Sequence, residues 1–456
     1  MKQYKSRELD MCNGPLCIPI IKFALPLVAT GVIKLLFSAF DLIIISKYAG
    51  EDALAAVGAN VSLINLMINL FLGLSVGANI LAARYLGEKD YQKVKKVVHT
   101  SILVAALSGI FVCILGIVFS RTLLTMIKTP ENILDMTVVY LNIYFLSMPA
   151  MIIYDFGAAI MRAKGETKKP FYYLSISGVV KLILNLLFVA KLNLSVQGVA
   201  TATVIAQLIA AALIIINLRS DEGYTKLILK ELRIDKEILV KLFRVGLPVG
   251  VQSCMFALSN VIIQSSINGF GETVIAANTA VFNIESFIYM ASAGFAQANI
   301  AFSSQNFGAK NYQRIKPIFF ICTAMGVAVA TILGGLAVIF GQQLLGIYVE
   351  TPEAIAEGMK RLIIVCVPYG LCALMDGVVG SIRGLGYSIA PMIASFVGIC
   401  GVRIFWCSVL LPMPKFYYTE FIYYSYIVTW TITIILDIVI LLYAYKKVSK
   451  TENEVN

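Results

Sequence analysis

The chain has 456 residues, is 59% hydrophobic and 14% charged, and carries a net charge of +11. A soluble domain holds roughly 25% charged residues. A mean hydropathy of +0.84, with apolar runs of about 20 residues along the whole length, excludes that class and predicts a polytopic helical membrane protein. The runs do not alternate polar with apolar residues, which excludes β-barrel spans. The basic residues sit in short loops, where they set topology rather than bind nucleic acid.

Twelve spans are predicted in order, near 17–46, 54–83, 98–120, 135–161, 170–190, 195–218, 240–268, 274–304, 317–340, 358–382, 389–411 and 420–445. The first is long and lacks a small-residue cleavage site, so it reads as a retained span and not a signal peptide. The longest polar stretch, 219–239, falls midway and reads as a cytoplasmic linker. It divides a six-span lobe over 1–218 from a second over 240–456. The expected fold is thus all-α, integral to the membrane, with twelve transmembrane helices in two pseudo-twofold-related six-helix lobes.

Orientation follows from charge. Clusters such as Arg84, Lys89, Lys93, Lys95 and Lys96, then Lys164, Lys168 and Lys169, then Lys310, Arg314 and Lys316, and the terminal Lys446, Lys447 and Lys450 all fall on one side. The opposite loops are poor in Lys and Arg. Both termini are therefore expected in the cytoplasm.

The halves are copies. Asp155, Arg162, Gly165 and Pro170 recur as Asp376, Arg383, Gly386 and Pro391 at a constant offset of 221. Gly50 matches Gly271 and Lys89 matches Lys310 at the same offset, and Pro26 matches Pro248 with one residue of slip. An even span count per half makes this a parallel repeat. Such repeats carry a substrate path between or within the halves and work by alternating access.

Ionisable groups at membrane depth are costly and need a reason. Asp41, in the first span, shares a face with Phe37 and Lys34. It is a candidate for reversible loading by a proton, Na⁺ or a cationic substrate, with a structural ion pair to Lys34 as the alternative. Na⁺ at Asp41 is the single metal expectation. Glu285, with Phe282 and Tyr289 on its face, suits a lipophilic cation, because ring faces attract cations. The alternative is a buried glutamate held by Asn283 or a neighbouring helix. Asp155 and Asp376 each stand seven residues before an arginine, Arg162 and Arg383. They read as gating or structural groups, with Asp376 the better placed to touch a ligand. Gln252, Asn283 and Asn185 offer oxygen ligands or interhelical hydrogen bonds. Pro26 is the expected bend in the first span. Lys181 and Arg403 read as snorkelling or paired, and Asp437 as interfacial.

Other chemistry is missing. There is no Walker-type loop for ATP, and no nucleophile elbow or zinc-protease pattern. The nine cysteines are scattered, and His99 is the one histidine. No metal site, disulfide framework or acid–base dyad emerges from them. An enzyme is not expected, and no cofactor beyond a coupling ion.

Several stretches together carry a family resemblance. They are Phe40-Asp41 with Gly50 and Ala53–Gly58, Gly246–Gln252, and Gln264 with Asn268–Gly271. Gln305–Ala309, Arg383–Ser388 with Pro391, and Cys400–Arg403 complete the set. Over nearly its whole length the chain resembles the multidrug and toxic-compound extrusion (MATE) transporters, most of all the bacterial branches. The resemblance implies a two-lobed exporter driven by Na⁺ or H⁺ in a bacterial inner (plasma) membrane. It implies Asp41 as a cation-coupling residue and Asn185 as part of the same cluster. The aspartate often found four residues after that asparagine is replaced by Val189. The acid that some relatives carry in the seventh helix is missing around Phe256 and Ala257.

The functional expectation is therefore a secondary active exporter, monomeric in the bilayer. It takes a lipophilic, cationic drug or metabolite outward in exchange for Na⁺ or H⁺. The runner-up is a lipid-linked precursor flippase of related fold, which for anionic headgroups would need more cavity Lys and Arg than Lys34, Lys181 and Arg403 supply. A major-facilitator transporter ranks third, because its Gly-x-x-x-Asp-Arg-type loop is absent from 84–97.

Overall fold

A computed structural model describes residues 9–455. The extreme ends lie outside the described residues, and with them the expected placement of the termini and the side chain of Lys450.

The predicted runs form helices, extended a turn or two into the loops. They are α1 (Cys17–Tyr48), α2 (Glu51–Gly87), α3 (Tyr91–Met126), α5 (Lys168–Lys191), α6 (Ser195–Ser220), α7 (Lys236–Asn268), α8 (Glu272–Gly308), α9 (Tyr312–Ile339), α11 (Ile389–Leu410) and α12 (Thr419–Val448). Two further spans are bent pairs. α4 comprises Glu131–Phe145 and Met148–Ala163 at 44°, and α10 comprises Pro352–Cys366 and Tyr369–Gly384 at 41°. The described residues thus hold the twelve spans expected. The bends were not foreseen, although Pro149 and Pro368 lie at the breaks and proline removes an intrahelical hydrogen bond.

The duplication reaches the backbone. Gly50 and Gly271 have φ of 86° and 95°, Gly165 and Gly386 both 90°, and Lys89 and Lys310 both 58°. The left-handed region favours glycine, so the two lysines mark a turn geometry kept in both halves.

The outer and inner faces of a span differ as lipid requires. On α3, Leu107, Ile110, Phe111, Ile114 and Val118 recur three or four apart and are exposed. The opposite face carries Ala105, Gly109 and Gly116, all buried. A Cβ at Gly109 would lie 2.5 Å from the Pro149 backbone of α4. In hydrocarbon there is no hydrophobic drive between helices, so such close approach supplies the packing.

The chain forms two compact units. One contains Val32–Leu247, and the other Asp10–Gly31 with Pro248–Asn456. α1 and α7 each pass from one unit into the other. In the first unit the start of α7 crosses α2, with a Cβ at Gly77 only 2.8 Å from Gly246. In the second the start of α1 packs on α8, with Val28 against Gly294.

The polar stretch 219–239 is pinned along the start of α3 within the first unit. Thr100 Oγ1 accepts from the Asp235 amide at 3.1 Å, and His99 Nε2 accepts from the Ile228 amide at 3.1 Å. Lys96 pairs with Asp235 at 2.9 Å. Lys164 Nζ reaches Asp221 at 2.9 Å, and Thr225 donates to the same carboxylate. Burial alone would raise the Asp221 pKa, but these hydrogen bonds and the lysine charge outweigh it and hold the carboxyl below its usual range.

Candidate functional site

In the first unit Asp41 stands at the centre of a polar cluster. Its Oδ2 accepts from Lys181 Nζ, and its Oδ1 accepts from Asn185 Nδ2 at 2.6 Å. Lys181 and Asn185 lie one helical turn apart on α5, so both side chains leave the same face. Asp41 and Lys181 side chains are 13% and 16% exposed. Asn185 is fully buried, and its Oδ1 has no hydrogen-bond partner. A carboxylate, a resident ammonium and a free amide oxygen therefore meet at one point. Tyr140 and Tyr144 of α4 are within electrostatic reach of the same carboxylate.

Lys34 does not pair with Asp41, as one sequence reading allowed. Its Nζ lies 4.0 Å from Asp155 Oδ1 instead. On one helix two turns separate Lys34 from Asp41, whereas Asp155 on α4 comes across to it. Asp155 is buried and also feels the Arg162 charge. It borders a small apolar recess lined by Ile68, Phe71, Met148, Met151 and Ile152. Phe37 packs where the Gly178 side chain would stand on α5. Pro26 sits within an unbroken α1, its carbonyl accepting from Thr30 Oγ1 at 2.7 Å.

In the second unit Glu285 is turned inward. Its two carboxylate oxygens accept from Arg361 Nε at 3.0 Å and Nη2 at 2.9 Å, and both residues are buried. Arg361 also stacks near Tyr423 and Tyr426. Phe282, Asn283 and Tyr289 are exposed on α8, so the acid and the rings expected to share one ligand face in different directions. Asn283 Nδ2 donates to the Thr279 carbonyl at 3.0 Å and does not hold Glu285.

Tyr289, Asp376 and Arg383 do come together, each within electrostatic reach of the others. Arg383 Nη2 donates to Gln252 Oε1 at 2.6 Å, and Gln252 Nε2 donates to Ser395 Oγ at 2.6 Å. Gln252 is thus a buried brace for the arginine. Asp437, read as interfacial, is fully buried within the protein on α12, two and a half turns before Lys446, roughly 13 Å at 1.5 Å per residue.

Sequence reasoning missed Lys181 as the partner of Asp41 and Arg361 as the partner of Glu285. For Lys181 the signal was its four-residue spacing from Asn185. For Arg361 it was a basic residue at the start of an apolar run on the side where basic residues are scarce. Arg403 is also buried, stacked 4.4 Å from the Tyr426 ring centroid and donating to Asn260 Oδ1 at 2.9 Å.

The MatE family model matches residues 26–187 and again residues 248–409, so the two matches open on Pro26 and Pro248. The probable multidrug resistance protein YoeA of Bacillus subtilis (strain 168) is 27% identical over 393 residues, covering 84% of each chain. The multidrug export protein MepA of Staphylococcus saprophyticus is 23% identical over 345 residues, covering 76% of each. Among solved structures, an outward-facing multidrug resistance MATE-family transporter of the MOP superfamily has a TM-score of 0.90 at 17% identity. The alignment covers 98% of this chain and 99% of that one, and at such identity the likeness is one of fold. Matched in both halves by one family model, over more than half its length, this chain belongs to the MatE family of membrane transporters.

Proposed function

We propose that the protein is a secondary active exporter of lipophilic, cationic drugs or metabolites, working as a monomer in a bacterial plasma membrane with both termini cytoplasmic. Membership of a transporter family and the names of the multidrug-resistance relatives support export. The basic loops support the orientation.

The observation that carries the coupling reading is the Asp41 cluster. Lys181 is a built-in cation that occupies the carboxylate in the absence of another. Na⁺ would displace the ammonium and gain oxygens from Asp41 and from Asn185 Oδ1, which has no partner. H⁺ would neutralise the carboxylate and release Lys181. Either exchange alters the tie between α1 and α5 and so couples ion loading to helix movement, with Pro26 as the place where α1 yields. A potential of 100 mV supplies about 2.3 kcal/mol per charge, enough for a gradient of about fifty-fold per ion.

On this reading Asp155 and the apolar recess beside it, with Phe37, form the first-unit contacts for a compound. Tyr289 and Asp376 form those of the second. Glu285 and Gln252 serve the framework, since both are already fully engaged. Arg162 and Arg383 act at the ends of α4 and α10 as gating groups.

The test is expression in a bacterium lacking its own efflux pumps. Gained resistance to cationic dyes, with lower dye accumulation, is the expected outcome. Unchanged accumulation together with restored translocation of a lipid-linked precursor would favour the flippase reading instead.

A further inference from the structure

Arg403 on α11 is a buried cation with no acid beside it. It is 2% exposed. Both of its hydrogen bonds run through Nη1, to Ser259 Oγ at 3.1 Å and to Asn260 Oδ1 at 2.9 Å. Its Nε is buried without a partner, and among the described residues no carboxylate lies within 4.0 Å of it. Arg361 shows what is missing. The two guanidiniums share the ring of Tyr426, at 5.5 and 4.4 Å from its centroid. Arg361 turns its Nε and Nη2 edge onto the Glu285 carboxylate, at 3.0 and 2.9 Å. The same edge of Arg403 meets no carboxylate. A guanidinium taken out of water without a counter-charge is costly, and the parallel N–H groups of that edge match a carboxylate.

The internal repeat gives the same picture. Lys181 stands eleven residues after Pro170, and Arg403 twelve after Pro391. A π-helical turn over Phe396–Gly401 lies between Pro391 and Arg403, whereas α5 is α-helical from Lys168 to Asn185. A π turn accommodates one extra residue, so Arg403 takes on α11 the place that Lys181 takes on α5. Lys181 pairs with Asp41 of α1. The residues of α7 that answer to Asp41, at offsets of 221 and 222, are Ile262 and Ile263. The second unit therefore holds the cation at this place without the carboxylate.

Asn260 opens the site. It is exposed on α7, and its oxygen accepts from Arg403, which leaves the two N–H groups of its amide as donors. Gln264 and Asn268 follow at intervals of four on the same face, joined by a hydrogen bond of 2.9 Å. Gln264 also accepts from Asn278 of α8 at 2.8 Å. Amides are disfavoured against hydrocarbon, so this row marks a hydrated approach from the end of α7 to Arg403.

We infer that Arg403 and Asn260 form a carboxylate-binding site of the second unit, which on the exporter reading takes the acid group of the exported compound. The Nε and Nη2 edge of Arg403 receives the two carboxylate oxygens, an Asn260 N–H donates to one of them, and Tyr426 holds the guanidinium plane. The substrate class narrows from lipophilic cations to amphiphiles that carry a carboxylate as well. A phosphate monoester is the poorer occupant, because its charge approaches two at neutral pH and one guanidinium would leave part of it unpaired.

Thermal unfolding of the full-length protein in lipid nanodiscs tests the site, with sodium benzoate against benzamide at fixed Na⁺ and ionic strength. Benzoate is expected to raise the melting temperature saturably, and benzamide, its neutral counterpart, to leave it unchanged. Arg403→Gln should lose the benzoate response. Arg403→Lys, which keeps the charge, should weaken benzoate about tenfold, because a point charge replaces the fork. Ser259→Asp should lose the response because an internal carboxylate then fills the arginine. No benzoate response in wild type, an equal response to benzamide, or a response unchanged in Arg403→Gln or Ser259→Asp would overturn the assignment. Efflux of rhodamine B and of its ethyl ester from proteoliposomes separates the acid group of a compound from a free anion. Wild type is expected to favour the acid and Arg403→Gln to lose that preference; equal export of acid and ester by wild type would overturn the assignment to the exported compound. Export of neither dye beside an intact benzoate response would count against the exporter reading and leave the site standing.

Discussion

At the scale of single residues, the two units use opposite solutions for a buried acid. Asp41 accepts from a single ammonium, that of Lys181, together with the Asn185 amide, whereas Glu285 is locked by a two-point contact with Arg361. Removing Lys181 leaves Asp41 buried and unpaired, which costs about 3–5 kcal/mol. Lys181→Gln is therefore expected to melt lower than wild type in Na⁺-free buffer at neutral pH. Its stability should return as Na⁺ or acid is added, by about 2.7 kcal/mol at a hundredfold excess over the dissociation constant. Thermal unfolding without any ion dependence would argue against an exchangeable site. Glu285→Gln should also cost about 3–5 kcal/mol by stranding Arg361, and Glu285→Leu with Arg361→Met should cost less than the single change. If that double variant still exports, Glu285 belongs to the framework; if it folds and export is lost, Glu285 touches the compound. Sequence alone supplied each acid but not its partner. Lys34 and Asp41 share a helical face, and that local rule could not foresee Asp155 taking Lys34 from across the bundle. Nor could it foresee that packing would bury Asp437 completely.

At the scale of elements, hydropathy reads spans well because a span must satisfy its own backbone and be apolar for some 20 residues. It does not read what interrupts them. The bends of α4 and α10 fall at corresponding places in the two halves, where Pro149 and Pro368 break the ladder. The turns closing these helices rest on Gly165 and Gly386, both with φ of 90°. Gly165→Ala should destabilise by more than the about 1–2 kcal/mol of backbone strain, since its Cβ would also stand 2.7 Å from the Leu9 carbonyl oxygen. Thermal melting of the variant checks it, and a loss no larger than that strain would contradict the close contact. The linker looked like a loose polar connector in the sequence, yet it is tied to α3 and to Lys164. Asp221 has a lowered folded pKa, so its stabilising contribution is complete above its unfolded value near 3.9. It is lost as pH falls through the lower folded value. Asp221→Asn is expected to remove that stabilisation at neutral pH and to flatten the acid limb of the stability profile. An acid limb identical to wild type would contradict the pairing.

For the molecule as a whole, duplication was legible because motifs recur at one fixed offset, and the family model matches each half in turn. The passage of α1 and α7 from one compact unit to the other was not legible. Hydrophobic patterning says how long a helix is and not which neighbours its two halves choose. The most direct measurement is dye efflux from proteoliposomes under imposed Na⁺ or pH gradients, in wild type and Asp41→Asn. Wild type is expected to move dye against its gradient only while one of the ion gradients is present, and Asp41→Asn to lose that response while remaining folded. Gradient-driven efflux by Asp41→Asn equal to wild type would contradict the account.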